Sequence, residues 1–373
     1  MANLVLYRKY RPQTFIDIIG QEHVVKTLTN SIRGNNISHA YLFSGPRGSG
    51  KTTIARIFAK AINCENIKNG FEPCDKCSSC LEIMQQKSMD LIEIDAASHR
   101  GVDDVRELRE GIKFAPVKSK YKIFIIDECH QLSKDAANAL LKTLEEPPAH
   151  VVFLLATTEP HKMIPTILSR CQKFDFKRLQ IPEIIKKLEF IAKKENLKIE
   201  ESALSLIALN SRGSFRDAES LLDECISFSG GSVEPGQEVI KTESIKELLG
   251  IVEVGEISEF VDYLISKKTK EAISFLNLMV NNGVDMHEFT KTLIFYLRQM
   301  LILKINPDFI NLQNSGLSSG ELEKMKFQTG QLQQRDLQDI LKKFIDAENK
   351  IKYSAVIQLP LELAVIDAIA DRT

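Results

Sequence analysis

Eight residues, Gly45-Pro46-Arg47-Gly48-Ser49-Gly50-Lys51-Thr52, follow the apolar run Tyr41 to Ser44 and precede a helical pattern. The pattern G-x-x-x-x-G-K-[ST] between a strand and a helix leaves few folds open. Its glycines let backbone N–H groups turn inward on a phosphate chain, and the helix behind them adds its positive end. Lys51 is expected to reach the β- and γ-phosphates, and the Thr52 hydroxyl to ligate Mg²⁺. All eight residues are therefore candidate nucleotide contacts. A Gly-rich strand-to-helix turn without a ligand is the bland alternative, and the strand and helix on either side argue against it.

The run Lys122 to Cys129, KIFIIDEC, ends an apolar strand in two carboxylates. Asp127 is expected to hold Mg²⁺ through its water shell and Glu128 to polarise an attacking water. Charge at a helix N-cap is the competing reading of such a pair. His130 follows directly and is read as a supporting or surface residue. A further run, Val151 to Ala156, ends in Thr157-Thr158, which the usual topology sets beside the strand carrying Asp127. A hydroxyl there can orient the water or sense the γ-phosphate.

These runs, with Leu91 to Asp95, read as buried strands alternating with helices, the signature of a parallel sheet with both faces covered. Past Phe176 helical periodicity takes over, in Ile184 to Ile191, Leu204 to Leu209 and Phe215 to Phe228. Ser229 to Gln237, rich in Gly, Ser and Pro, reads as a linker. From about Thr242 the pattern stays helical, including Met286 to Leu303 and Leu332 to Tyr353. Leu276, Val280, Phe289, Leu293 and Phe295 are its expected core. The chain is thus read as an α/β nucleotide-binding domain over 1–178, a small helical domain over 179–240 and an all-α domain over 241–373. Its 373 residues suit two or three domains.

Lys and Arg total 49 against 50 Asp and Glu, so the chain does not coat nucleic acid by bulk positive charge. The apolar stretch Leu4 to Leu6 is too short for a signal-peptide core, and no run reaches the ~18 apolar residues of a membrane span. A cytoplasmic protein is expected, with no membrane partner. In that reducing setting, Cys74, Cys77 and Cys80, with Cys64 upstream, read as a closed four-thiolate zinc site at about 64–80. Asp75 or His99 compete with Cys64 on spacing alone. An iron–sulfur cluster is disfavoured, because no redox motif accompanies the set.

Together these residues resemble the AAA+ ATPases and, within them, the gamma/tau family of bacterial DNA polymerase III clamp-loader subunits. The resemblance is carried by the phosphate loop, the opening YRKYRPQTFIDIIGQEHV, the four cysteines, DECH, LLATTEPHKMIPTILSRC and GSFRDAESLLDE. It implies an ATPase within the polymerase III holoenzyme, although the chain carries no polymerase site. The small helical domain becomes a lid and the last domain a collar that assembles a ring. Thr158 looks like sensor 1, Arg170 like an arginine finger reaching a neighbouring subunit's ATP, and Arg216 like sensor 2. Tyr10, Arg11, Ile19 and Gly20 resemble the adenine pocket, and the resemblance supports Cys64 as the fourth zinc ligand.

The partners it implies are delta and delta-prime subunits, a beta sliding clamp and primer-template DNA at a replication fork. A chamber shared by several subunits needs only modest positive charge from each, so neutrality is no objection. Arg100, Arg106 and Arg109 lie among acidic residues and read as a solvated, salt-bridged helix rather than a DNA contact. The chain lacks the Pro-rich, charged extension of the family's long form, and is either a short form or part of a longer chain.

Overall fold

The computed structural model describes residues 4–98, 111–112, 114–229, 239–248, 253–307 and 318–370. His99, Arg100, Arg106 and Arg109, and nearly all of the linker read at Ser229 to Gln237, lie outside them. The chain forms two compact units, Met1–Thr242 and Glu243–Thr373.

The first unit is built on a five-stranded parallel sheet. Its strands are β1 (Ala40–Ser44), β2 (Leu91–Asp95), β3 (Lys122–Asp127), β4 (Val151–Thr157) and β5 (Gln172–Asp175), in the order β2-β3-β4-β1-β5. β1 and β4 are buried at every residue, because helices cover both faces, and alternate side chains feed two separate cores. Tyr41, Phe43, Ile123, Ile125, Val152 and Leu154 pack with Leu28, Ile54 and Phe58 on one face. Leu42, Phe124, Ile126, Phe153 and Leu155 pack with Leu140, Leu144 and Ile167 on the other. β3 pairs with β4 as expected, with Ile126 opposite Leu155, and Ser44 of β1 lies opposite Thr157. The register brings Ser44, Asp127 and Thr157 to one carboxyl edge, where parallel sheets place their ligands.

One strand reading changes, and one strand leaves no signal in the sequence. β2 is an edge strand with a half-exposed pattern, so its alternation of Ile and acid reports one covered face rather than full burial. β5, on the other edge, carries a single buried side chain, Phe174, and therefore gives no apolar run to read.

Three helices, Ile181–Lys194, Glu201–Asn210 and Phe215–Ser229, form the small helical layer of this unit. Strand structure does not stop at Phe176, because Lys198–Ile199 pairs in parallel with Val239–Ile240. The opening segment is tied to these helices. The Leu6 N–H donates to Asp223 at 2.9 Å, and Lys9 pairs with Glu195 at 2.6 Å.

The second unit is helical throughout its described residues, with six helices of 12 to 20 residues from Val254–Ile265 to Leu359–Ala370. Phe260 anchors its core, 5.3 Å from Phe289 and 6.1 Å from Phe344 between ring centroids. Asp285 caps the helix Met286–Ile305, and a Ser318–Glu321 capping box opens the helix Ser319–Gln331. Leu276, Phe289 and Leu293 are core residues, but Phe295 is 52% exposed. It falls out of phase with Phe289, Leu293, Tyr296 and Met300, which share the buried stripe. No described helix is long and apolar enough to cross a membrane.

Candidate nucleotide and metal sites

The phosphate loop leaves β1 at Ser44 and enters the helix Lys51–Ile62. Gly45, Gly48 and Gly50 all hold positive φ, of 146°, 74° and 95°. A Cβ on Gly45 would meet the Phe176 carbonyl oxygen at 2.5 Å, and one on Gly48 would meet Ser214 Oγ at 1.8 Å. The loop is thus wedged between the end of β5 and the start of the helix Phe215–Ser229, with no room for side chains at either glycine.

Lys51 is 6% exposed, and its ammonium donates to the carbonyls of Gly45 and Pro46 at 2.9 and 2.8 Å. Burial lowers its pKa, and the nearby Glu128 and Asp127 carboxylates work against that shift. An ammonium held only by carbonyls, at the mouth of a cavity, has a full charge left for a phosphate. Thr52 Oγ1 donates to Asp127 Oδ2 at 2.6 Å, joining the two residues expected around Mg²⁺.

Glu128 stands in the left-handed region at φ 46°, a position a non-glycine residue holds only against a steric cost. Its side chain caps nothing. Instead it accepts from the Thr158 hydroxyl at 2.8 Å and from the Thr158 N–H at 3.1 Å. His130 is not a surface residue. Its side chain is 6% exposed, Nδ1 sits 3.0 Å from Thr157 Oγ1 and 3.4 Å from Glu128 Oε2, and Nε2 is 3.5 Å from Glu159. Thr158 therefore fixes the Glu128 carboxylate at the end of β3, with the His130 ring beside it.

A cavity of about 440 Å³ opens over this edge, lined by Arg47 to Thr53, Asp127 and Glu128 at one end. Tyr7, Arg11, Pro12, Asp17, Ile18 and Ile19 of the opening segment line it too, with Lys187, Phe215, Arg216 and Glu219 from the helical layer. Tyr10 is not among the lining residues. Its ring packs edge-on against Phe190 and its hydroxyl donates to Glu195, which with burial pushes its pKa up to about 12. Gly20 is likewise outside the lining, its φ of 77° serving a turn against Leu179 and Glu183. Tyr7, Lys187 and Glu219 are lining residues that the sequence motifs do not single out, and Arg216 lies 5.1 Å above the Tyr7 ring. Burial and the guanidiniums of Arg56 and Arg216 lower the Arg11 pKa.

Arg170 is turned away from the cavity. Its guanidinium donates to Glu145 at 2.6 Å and to the Thr166 carbonyl at 2.9 Å.

The Sγ atoms of Cys64, Cys74, Cys77 and Cys80 all lie within 4.8 Å of one another. Backbone N–H groups point at the sulfurs: Lys76 and Cys77 donate to Cys74 at 3.4 and 3.2 Å, and Cys80 donates to Cys77 at 3.5 Å. Donors of this kind stabilise thiolates. Although burial opposes it, they draw the Cys74 pKa down to about 6. Asp75 does not compete for the site, because it pairs with the buried Lys60 at 2.5 Å. The donor set and the short mutual distances fit a closed tetrahedral metal site.

Known proteins resemble the chain along nearly its whole length. A family model described as DNA polymerase III, delta subunit, matches residues 20–180. The clamp loader subunit ATPase lid domain of DNA polymerase III matches residues 183–231, and domain III of subunits gamma and tau matches residues 240–372. DNA polymerase III subunit tau of Bacillus subtilis is 47% identical over 326 residues, 87% of this chain and 55% of that one. Its Escherichia coli counterpart is 41% identical over 307 residues, 82% of this chain and 46% of that one. The chain thus spans about half the length of these two relatives. Subunit gamma of Buchnera aphidicola is 41% identical over 304 residues, 81% of this chain and 80% of that one. With three successive matches to DNA polymerase III subunit models and a gamma subunit spanned over four-fifths of its length, the chain belongs to the gamma/tau family of DNA polymerase III subunits.

Proposed function

We propose that the chain is an ATP-hydrolysing subunit of a bacterial clamp loader, acting in the cytoplasm at the replication fork. It would open a ring-shaped sliding clamp and place it on primer-template DNA, together with delta and delta-prime subunits. The observation that carries the ATPase reading is the meeting of Lys51, Thr52, Asp127 and a Thr158-held Glu128 at one edge of the sheet. Gly45 to Thr52 would cradle the phosphates, with Mg²⁺ held by Thr52 and Asp127; the metal would neutralise charge on the phosphoryl oxygens. Glu128 would orient the water and accept its proton, with Thr158 fixing the carboxylate's direction. Arg216 reaches the cavity from the lid, so closure of the lid would set its distance to the phosphates.

Arg170 has no place at its own chain's cavity, which supports a role at a neighbour's ATP. A guanidinium supplied across an interface stabilises the charge that builds on the γ-phosphoryl group, typically by a factor of ~10³ to 10⁵ in rate. The cysteine set would hold a structural zinc at about 64–80. The nucleotide domain would run over 1–178, the lid over 179–240 and the ring-forming collar over 241–373.

The test is steady-state ATP hydrolysis by the chain with its partner subunits, with and without primed DNA and a sliding clamp. Strong stimulation by both together is expected. Stimulation by forked or duplex DNA with indifference to the clamp would instead indicate a helicase-type motor. Arg170→Ala should leave ATP binding within about twofold while lowering hydrolysis in the assembly at least ~10³-fold. A large loss of ATP affinity by the single subunit would overturn the trans assignment.

A further inference from the structure

Glu219 is a charged residue with no visible employment. Its side chain is 5% exposed, it lines the nucleotide cavity, and its carboxyl accepts no hydrogen bond among the described residues. A carboxyl in that setting carries a desolvation cost that a donor must offset. The cations facing it do not close on it. Lys187, on the helix Ile181–Lys194, spends its ammonium on the Tyr10 carbonyl at 3.1 Å. Arg11 of the opening segment and Arg216, one turn earlier on the same helix, form no ion pair with it, and Asp17 across the cavity is a second acid. Burial pushes the Glu219 pKa up to about 7, with Lys187 and then Arg11 pulling it back.

Its position along the cavity is fixed by the helix that carries it. That helix starts against the phosphate loop, where Ser214 caps it through Asp217 N–H at 3.2 Å and touches Gly48. Glu219 lies five residues beyond Ser214, so about 7.5 Å along the axis at 1.5 Å per residue. That displacement takes it along the helix away from the phosphate loop, and its charged neighbours Lys187 and Arg11 set it beside the opening segment, whose Ile18 and Ile19 line the same cavity and offer an apolar ring a place to stack.

We propose that Glu219 reads the base, its carboxyl accepting a hydrogen bond from the exocyclic 6-amino group of adenine. This makes it a specificity-determining residue of the site, and it rests on the ATP reading above. The donor supplied by the base satisfies the buried acceptor, and a 6-oxo purine presents an acceptor to an acceptor instead.

The test is equilibrium binding by the full chain of Mg·ATP and of purine riboside 5′-triphosphate, which lacks only the 6-amino group. The wild-type chain should prefer ATP by a factor on the order of ten to a hundred, the range for a hydrogen bond to a charged group. Glu219→Leu should bind the two alike. Glu219→Gln, which keeps an acceptor oxygen, should retain a preference. An unchanged preference in Glu219→Leu overturns the assignment. A wild-type chain binding both triphosphates equally overturns this assignment alone, whereas one binding neither overturns the nucleotide reading as well.

Discussion

Two carboxylates at this cavity are held in opposite ways, and each makes a prediction. Glu128 is strained at its backbone and fixed at its tip by the N–H and hydroxyl of Thr158, so its direction is set before any water arrives. Thr158→Val keeps the shape and removes one donor. It should leave ATP affinity within about twofold and lower single-turnover hydrolysis roughly tenfold or more, since a misdirected base forfeits part of its catalytic factor. Glu219 is buried and unpaired, with its folded pKa near 7 against an ordinary carboxyl value of 4.5 in the unfolded chain. The folded state therefore binds more protons between those values, and stability from this group is fully present below about pH 4.5 and is lost as pH rises through 7. Thermal melts of the nucleotide-free chain should show Glu219→Gln gaining on wild type between pH 5 and pH 8. A constant difference across that range would mean that the carboxyl titrates normally.

At the level of elements, two side-chain contacts join the cysteine segment to the nucleotide site. Glu72, 4% exposed, accepts from the N–H groups of Phe15 and Ile16 at 3.0 Å each, immediately before Asp17, Ile18 and Ile19 in the cavity wall. Lys60, on the helix that starts at the phosphate loop, pairs with Asp75 between two of the cysteines. Removing the zinc proposed for the four cysteines should therefore weaken nucleotide binding severalfold, and Cys77→Ser should lose that zinc and show the same weakening. Glu72→Gln should keep one zinc per chain by colorimetric assay yet bind ATP more weakly, separating the contact from the metal. Unaltered ATP affinity in the zinc-free chain would deny the connection. None of this is legible in the sequence, because Glu72 and Phe15 are linked only by the fold. The elements that were legible are those with dense local signals: β1, β3, β4, the phosphate loop and the striped helices. β5 offers one buried residue, and the pairing of Lys198–Ile199 with Val239–Ile240 joins two-residue strands across the two helices between them. Site residues followed the same divide. Lys51, Thr52, Asp127 and Glu128 sit in contiguous motifs, whereas Tyr7, Lys187 and Glu219 come together from three separate segments. Helical spacing from Arg216 was the one available pointer to Glu219.

At the scale of the whole chain, the hydrophobic residues fall into cores that do not mix. The two sheet-facing cores draw on residues 15 to 176, and the helical core on residues 257 to 369. Each unit has its own buried aromatics, Tyr41 with Phe58 at 4.8 Å in one and the Phe260 group in the other. Compact units that share no core unfold as separate cooperative units, so a single two-state transition is not expected. Calorimetry of the full chain should resolve two transitions. Saturating Mg·ATP should raise one and leave the other unmoved, because a ligand stabilises only the unit that binds it. At a hundredfold excess over its dissociation constant the ligand contributes about 2.7 kcal/mol, which for a unit of this size is a shift of roughly 5 to 10 °C. The fragment ending at Thr242 should reproduce the shifted transition, and Lys51→Ala in the full chain should abolish the shift without moving either transition far in the absence of nucleotide. A single transition that moves as a whole with ATP would mean that the helical unit draws its stability from the nucleotide unit.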